Sequence, residues 1–122
     1  MSAPPAAVTD AAADTPRALL ILTNLPDADS ARALANELIG LRLTACVNIL
    51  APCVSVYRWQ GEVEAATEVP LLIKTTPARY PALEAAIRTR HPYELPEIVA
   101  VPVTQGLPGY LDWLIAGTTG DD

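Results

Sequence analysis

A long predicted β-hairpin is the feature that most limits how this chain can fold. Two β-prone runs, residues 45–57 and residues 63–74, flank the sequence WQGE, in which Gly61 favours a tight turn. An arm of about 13 residues at roughly 3.3 Å per residue is about 43 Å long, well beyond the usual strand. Part of the hairpin should therefore project and expose apolar side chains, namely Val54, Val56, Tyr57 and Trp59. Such a ribbon is normally covered by another chain, which predicts a homo-oligomer.

Two prolines lie within the arms of this hairpin. Pro52 is in the first arm and Pro70 in the second. Proline has no backbone N–H group and cannot donate a ladder hydrogen bond. Each is therefore predicted to mark a bulge or a place where the strand changes neighbours.

The two cysteines of the chain, Cys46 and Cys53, are seven residues apart in the first arm. In a regular strand this odd separation points the two side chains to opposite faces, roughly 23 Å apart at about 3.3 Å per residue. We therefore predict no disulfide between them and interpret them as small buried apolar residues. The lack of a disulfide framework favours a cytoplasmic location.

A strand and a helix are predicted before the hairpin. Residues 17–24, RALLILTN, are a short aliphatic run typical of a buried strand. Asp27 can cap a following helix, and Gly40 sits where a helix favours its C′ residue. The apolar residues of this helix share one face: Ala31, Leu34, Ala35, Leu38 and Ile39.

A helix, a strand and a last short helix are predicted after the hairpin. Thr76 and Pro77 suit a helix start, and Pro92 ends this helix at Arg90 or His91. Residues 97–103, EIVAVPV, form another strand, and a short helix is expected around residues 110–116. The order β-α-β-β-α-β plus one helix predicts a ferredoxin-like α+β fold, an antiparallel sheet with helices on one face.

The length and composition indicate one domain. The chain has 122 residues, of which 51% are hydrophobic, enough for a real core. We expect a disordered tail over residues 1–16, a single domain over residues 17–118 and a frayed end over residues 119–122. The N-terminus lacks the features of a secretion signal, and no apolar run is long enough to cross a membrane.

The charge and the loop sequences exclude several classes of function. A net charge of −6 argues against nucleic-acid binding, which depends on Lys and Arg. The turn TNLPDADS after the first strand has no glycine, so the common phosphate-binding loops and an acylphosphatase-like anion loop are excluded. The strands are aliphatic and the chain has no Phe, unlike RNA-recognition sheets of the same plan.

The stretch RHPYELPEIVAVPV contains the only histidine, His91, followed by Glu94 and Glu97. A Ser or Cys nucleophile would need this histidine as its base, and no nucleophile stands beside it in sequence. The spacing of the two glutamates allows a carboxylate pair, but the favoured interpretation is that they are solvated residues of a proline turn. His91 itself is interpreted either as a metal ligand or as a structural imidazole that caps the second helix or bonds across a cleft.

A metal site would have to be shared between copies of the chain. His91 and the nearby glutamates make only a partial ligand set, whereas a structural zinc site uses four ligands. A ring of subunits could bring copies of His91 or Cys46 together, and copper accepts imidazole and thiolate ligands.

Several motifs together resemble the divalent-cation tolerance protein CutA family. They are ARALANELIGLRLTACVNIL, SVYRWQGEVE, LLIKTT, RYPALEAAIRTRHPYELPEIVAVPV and YLDWL, in order over residues 18–118. The resemblance implies a ferredoxin-like subunit in a homotrimer akin to the PII signalling proteins, with the long hairpin reaching a neighbour. It also implies an association with tolerance to copper and other divalent ions, clefts between subunits as ligand or metal sites, and no assigned enzymatic activity.

The resemblance assigns residues to these clefts. The cleft residues would be Tyr57, Arg58, Trp59, Lys74, Tyr93 and Glu97, and the metal ligands His91 and, less favoured, Cys46. Metal ligands proposed for some members are replaced here by Leu22 and Arg90, so the resemblance implies at most a weak site for Cu(II) or another divalent cation. Tyr57 and Trp59 can equally be interface packing, and Lys74 can simply reach solvent at a strand end.

Three functions remain open at this point. The first is a cytoplasmic trimer that binds a cation or signals, the second is a scaffold that docks another protein, and the third is an enzyme that uses His91 and a glutamate at the subunit boundary.

Overall fold

The computed structural model describes residues 15–119. The tail predicted over residues 1–16 lies almost entirely outside the described residues, as do residues 120–122. The elements are β1 (Ala18–Leu25), α1 (Ala28–Gly40), β2 (Cys46–Ile49), β3 (Cys53–Trp59), β4 (Glu62–Thr75), α2 (Tyr80–Arg90), β5 (Val99–Val103) and α3 (Pro108–Gly117). The predicted α+β order is confirmed, except that the first hairpin arm is two strands, β2 and β3.

The long strand β4 organises an antiparallel sheet in the order β2-β4-β1-β5, with β3 also paired to β4. The first half of β4, from Glu62 to Glu68, pairs with β3, and the second half pairs with β2 and β1. The change of neighbour falls at Pro70, whose carbonyl accepts a hydrogen bond from the Leu50 N–H at 2.9 Å. Pro52 lies in the break between β2 and β3, so the positions predicted from both prolines are confirmed.

A one-residue bulge separates β2 from β3. Ile49 pairs with Leu71, so an unbroken register would place Cys53 opposite Thr67, but Cys53 pairs with Glu68 instead. A shift of one residue turns every following side chain to the other face. The prediction that Cys46 and Cys53 point to opposite faces is therefore wrong: they pair with Lys74 and Glu68, which share a face of β4. Both cysteines are free, as predicted.

Helix α1 starts at the predicted cap and ends two residues later than the glycine suggested. The Asp27 carboxylate accepts from the Ser30 N–H at 2.7 Å. This hydrogen bond is also the main reason that the pKa of Asp27 is lowered. At the other end Arg42, with φ 59°, takes the left-handed position that was expected of Gly40. The Leu43 N–H reaches the Leu38 carbonyl at 3.1 Å, which is the closing bond of a Schellman motif.

Helix α2 also keeps its predicted end but starts later than predicted. The Thr76 hydroxyl accepts from the Arg79 N–H at 3.3 Å and caps a single turn, after which the helix runs from Tyr80. His91 is the C-cap residue, and its N–H donates to the Ile87 carbonyl at 2.8 Å.

The core lies between one face of the sheet and the helices α1 and α2. Its fully buried members include Ile21, Leu25, Leu38, Leu71, Ile73, Leu83 and Ile87. On β1 and β4 these residues alternate with half-buried ones, so the opposite face carries Leu20, Leu22, Leu72 and Lys74. Two packing faces of β1 and β4 therefore exist, and only one of them is filled by the α1–α2 core.

The tip of the hairpin extends past the rest of the sheet. Gln60 (φ 51°) and Gly61 (φ 84°) form the predicted two-residue turn. Because β1 pairs with β4 only from Val69 onward, the stretch of β4 before it has β3 on one edge and no other partner strand within residues 15–119. Val54, Val56 and Val63 are 65–69% exposed there. No helix in the described range is long and apolar enough to span a membrane.

Candidate functional site

A cleft lies between the hairpin and the connection from α2 to β5, and we call it the hairpin cleft. Its volume is about 780 Å³. It is lined by Asn24, Ser55, Val56, Tyr57, Trp59, Glu64, Ala66, Glu68, Tyr93, Glu94, Leu95, Pro96 and Glu97. The lining from the sheet belongs mostly to the face of β4 that points away from the α1–α2 core, and the bulge after β2 sets which side chains of β3 share that face.

His91 anchors the connection that forms one wall of the cleft. Its ring Nδ1 accepts from the Tyr93 N–H at 3.1 Å. A nitrogen that accepts carries no proton, so Nε2 is the protonated atom and donates to the Asn24 carbonyl at 2.7 Å. The side chain is 8% exposed. His91 thus ties the end of α2 to the end of β1, which fits the structural imidazole of the two sequence-based interpretations.

Tyr93 connects this wall to the floor of the cleft. Its ring packs on His91 with centroids 4.7 Å apart and planes tilted by 57°. Burial, and then the hydrogen bond of its hydroxyl to the Glu68 carboxylate, raise the pKa of Tyr93 to about 12. The phenol therefore stays protonated at neutral pH and acts as a fixed donor.

The cleft is acidic. It contains Glu64, Glu68, Glu94 and Glu97, and none of the Lys or Arg residues of the described range lines it. Glu68 is 8% exposed. The Asn24 side-chain amide donates to Glu97 at 3.1 Å. Partial burial and the nearby charge of Glu64 raise the pKa of Tyr57. The arrangement of aromatic walls and carboxylates suits a positively charged guest.

The structure brings together four of the six predicted cleft residues. Tyr57, Trp59, Tyr93 and Glu97 all line the hairpin cleft. Arg58 does not, because it pairs with Val63 on the other face of the hairpin. Lys74 lies further along β4, where its ammonium group contacts Asn48 and Cys46.

Sequence reasoning missed the acidic floor and one polar wall residue. Glu64 and Glu68 are four residues apart in β4, so their side chains share a face of the hairpin. Their cross-strand partners on that same face are Tyr57 and Cys53. Their even spacing in VEAATEV was the available signal. Asn24 was read only as the end of the first strand.

The predicted metal ligands do not assemble within one chain. Among residues 15–119, no three His, Cys, Asp or Glu side chains are grouped so as to hold a metal ion. A metal at His91 would have to replace one of the two backbone bonds of its ring. Cys46 is half-buried, while Cys53 is exposed, so the interpretation of Cys53 as a buried residue is wrong. The role of His91 and Cys46 as ligands stays a prediction.

The two replaced ligand positions have other roles. The Arg90 guanidinium pairs with the Glu37 carboxylate at 2.8 Å and links α2 to α1. Leu22 is half-buried on the sheet face opposite the core. Both hydrogen-bond partners of the His91 ring are backbone atoms. In this structure the ring is therefore not hydrogen-bonded to a nucleophilic side chain, as a catalytic base would be.

The fold and this cleft define a class of small α+β proteins with a projecting hairpin, and comparison with known proteins identifies the class. A family profile described as CutA1 divalent ion tolerance protein matches residues 19–116. The divalent-cation tolerance protein CutA of Thermus thermophilus is 46% identical over 99 residues, which cover 81% of this chain and 96% of that protein.

Solved structures agree with the sequence match. The Thermus thermophilus protein superposes with a TM-score of 0.82 at 44% identity, over 84% of this chain and 99% of that chain. CutA of Xylella fastidiosa gives 0.82 at 42% identity, with the same two coverages. The Archaeoglobus fulgidus protein, named a periplasmic divalent cation tolerance protein CutA, gives 0.81 at 32% identity over 84% of this chain and 99% of that chain.

This chain belongs to the CutA1 divalent ion tolerance family. The resemblance deduced from the motifs is therefore confirmed. The relatives are named as tolerance proteins rather than as enzymes. Because one of them is named as periplasmic, the predicted cytoplasmic location stays a prediction.

Proposed function

We propose that this protein is a CutA-type homotrimer that binds a divalent cation weakly in the hairpin cleft and acts as a non-enzymatic binding or signalling module of the PII kind. The names of its relatives connect them with divalent cations. The observation that carries the proposal for this chain is the Glu68 carboxylate.

Glu68 has a buried charge with little compensation. It is 8% exposed, its described partner is the neutral hydroxyl of Tyr93, and it takes no part in the ion pairs formed within residues 15–119. Burying a carboxylate without a cation costs roughly several kcal/mol, even after the surrounding protein has relaxed around the charge. A cation in the cleft would offset this cost. Because no three acidic side chains of residues 15–119 are grouped so as to hold a metal ion, its remaining oxygen ligands would come from water or from a second copy of the chain.

The projecting hairpin supports the trimer. Val54 on β3 and Val63 on β4 are 69% and 65% exposed and lie on the hairpin face opposite to the one that carries Glu64 and Glu68. The neighbouring stretch of β4 also has an unpaired edge. A second copy that covers this ribbon would bury the valines and pair the edge, and its own residues would complete the cleft. Ligand binding between a hairpin and a neighbouring subunit would be a direct route for a signal.

The oligomer and the cation are tested separately. Light scattering should give three times the chain mass at micromolar concentration, and Val54→Lys should reduce it. A monomeric wild-type protein would refute the trimer. Calorimetric titration with Cu(II), Zn(II) and Mg(II) should show binding that weakens at least tenfold in Glu68→Gln. The matched control is Glu84→Gln, which removes the same charge from α2, outside the cleft. Equal affinities in both variants would refute the cleft as the site.

His91→Ala separates the roles of His91 in the same titration. Affinity that survives this change removes His91 from the ligand set and leaves the carboxylate site in place. Cys46→Ser tests the second candidate ligand in the same way. We also propose a cytoplasmic location, supported by the two free thiols.

A scaffold role is a second candidate, and the surface of α3 favours it. Leu107, Tyr110 and Trp113 are 74%, 40% and 53% exposed, and the two rings pack with centroids 5.6 Å apart. Aromatic side chains held on a helix are common anchors in protein interfaces. Trp113→Ala should abolish capture of a partner from a native lysate while the trimer mass and cation binding remain unchanged.

A further inference from the structure

A cysteine and a lysine face each other across two neighbouring strands. Cys46 of β2 and Lys74 of β4 are directly paired in the antiparallel ladder, so their side chains leave the same face of the sheet side by side. The Lys74 Nζ lies 3.6 Å from the Cys46 Sγ and also donates to the Asn48 side-chain oxygen. This second contact holds the amine over the sulfur, and both residues are half-buried rather than enclosed.

We propose that Cys46 and Lys74 are an oxidation-sensitive modification site, at which peroxide joins the sulfur and the nitrogen through one oxygen atom. The first hydrogen peroxide oxidises the thiolate by two electrons to a sulfenic acid and leaves as water. The second takes two further electrons as an N–O bond forms between the deprotonated amine and the sulfenic oxygen. Each link thus consumes one thiol, one neutral amine and two peroxides, and yields the N–O–S bridge and three waters.

The geometry favours this product over a direct S–N bond. One oxygen atom spans more of the 3.6 Å gap than a direct bond would, so the strands need to move less. Because the residues already form a ladder pair, the link adds no new long-range contact. It joins the four-residue strand β2 to the centre of the sheet and closes the chain between residues 46 and 74 into a covalent loop.

Cys53 provides the matched control within the same chain. It is exposed, and its described side-chain contact is the Ser55 hydroxyl at 3.8 Å rather than an amine. Peroxide should therefore oxidise Cys53 without linking it to a lysine. The contrast separates the effect of the neighbouring amine from the general reactivity of a thiol.

To test this proposal, the full-length protein carrying Cys53→Ser is treated with a small excess of hydrogen peroxide, and its intact mass is measured. We expect a gain of about 14 Da, one oxygen added and two hydrogens lost, that dithiothreitol reverses. Tryptic digestion should then yield residues 43–58 linked to residues 59–79, with cleavage blocked at Lys74. The melting temperature should rise with the fraction linked and fall again on reduction.

Variants decide which atoms are joined. Lys74→Arg keeps the positive charge and Cys46→Ser keeps a polar side chain, and both should lose the 14 Da product while remaining folded. A product that persists in Lys74→Arg would overturn the proposal. So would a Cys53→Ser protein that gains only whole oxygen atoms, or that loses two hydrogens without gaining oxygen. Because the peptide map is made on the Cys53→Ser protein with Cys46 and Lys74 intact, a folding defect in the other variants would not obscure the result.

Discussion

The hydroxyl of Tyr93 donates a hydrogen bond to the carboxylate of Glu68, joining the proline-rich connection after α2 to the centre of β4. Glu68 is nearly fully buried. This contact ties the hairpin to that connection across the hairpin cleft, and burial together with this hydrogen bond raises the pKa of Tyr93.

The stability of the fold should therefore fall at high pH. The pKa of Tyr93 is raised to about 12 in the folded chain, from an ordinary value of 10.0. The folded state thus holds its proton where the unfolded state has lost it, so this stabilisation is complete below pH 10 and disappears as the pH rises towards 12. Denaturant midpoints measured across this range should show the loss.

Glu68→Gln is the control for this pH dependence. Without the carboxylate, the pKa of Tyr93 should move back towards its ordinary value, because a negative neighbour no longer opposes ionisation. An ultraviolet titration of the tyrosines, with Tyr93→Phe to assign the transition, checks the direction. Burial raises this pKa most and Glu68 adds to it, so a transition of Tyr93 that stays in place in Glu68→Gln would contradict the contribution assigned to Glu68.

His91→Ala should destabilise the folded protein by about 1–3 kcal/mol, since it leaves the part-buried Asn24 carbonyl and Tyr93 N–H without their ring partners. Chemical denaturation with and without a chelator is the measurement. We expect the same loss in both conditions, because the bonds of the ring are to the backbone. A loss that vanishes when the metal is removed would mean that His91 stabilises the protein as a ligand.

Two buried threonines should respond oppositely to the same substitution. Thr23 is 1% exposed and its hydroxyl has no partner within the described chain, whereas the Thr75 hydroxyl donates to the Leu43 carbonyl at 2.7 Å. Thr23→Val should therefore stabilise the fold by about 1 kcal/mol, and Thr75→Val should destabilise it by about 1–3 kcal/mol. Both changes are measured from urea midpoints, with the slope of the unfolding free energy against urea concentration unchanged. Equal effects of the same sign would contradict the assignment.

The hairpin turn should tolerate only residues that accept a positive φ. Gly61 has φ 84° and open space around its Cβ position, so the effect of Gly61→Ala is conformational and should destabilise by about 1–2 kcal/mol. Gln60 has φ 51°, and Gln60→Asn should stabilise because asparagine tolerates this region. Thermal melts of the two variants check the opposite signs, and a neutral Gly61→Ala would contradict the turn type.

Local signals predicted the parts of the fold that local chemistry decides. Asp27 starts α1 because its carboxylate accepts from an N–H three residues ahead. Pro92 ends α2 because a proline disfavours the helical conformation of the residue before it, here His91. The left-handed residue after α1 could not be read in this way, since Arg42 occupies it while Gly40 stays helical.

The candidate site was predictable where motifs carried it and not where distant contacts did. Tyr57, Trp59, Tyr93 and Glu97 followed from motifs, and they do share the hairpin cleft. The placement of Lys74 beside Cys46 depends on the pairing of β2 with β4, and the burial of Glu68 depends on a connection 25 residues further along the chain. Neither relation leaves a pattern in the neighbouring sequence.

The bulge between β2 and β3 decides which face of the hairpin carries the aromatic side chains. If β3 paired with β4 without it, in the register set by Ile49 and Leu71, Tyr57 would stand opposite Val63 and Arg58 opposite Glu62. Tyr57 would then leave the cleft face and Arg58 would enter it, because a slip of one residue turns each side chain of a strand to the other face. The one extra residue between the two strands therefore determines whether this hairpin presents an aromatic wall or a positive charge to the carboxylates of the floor.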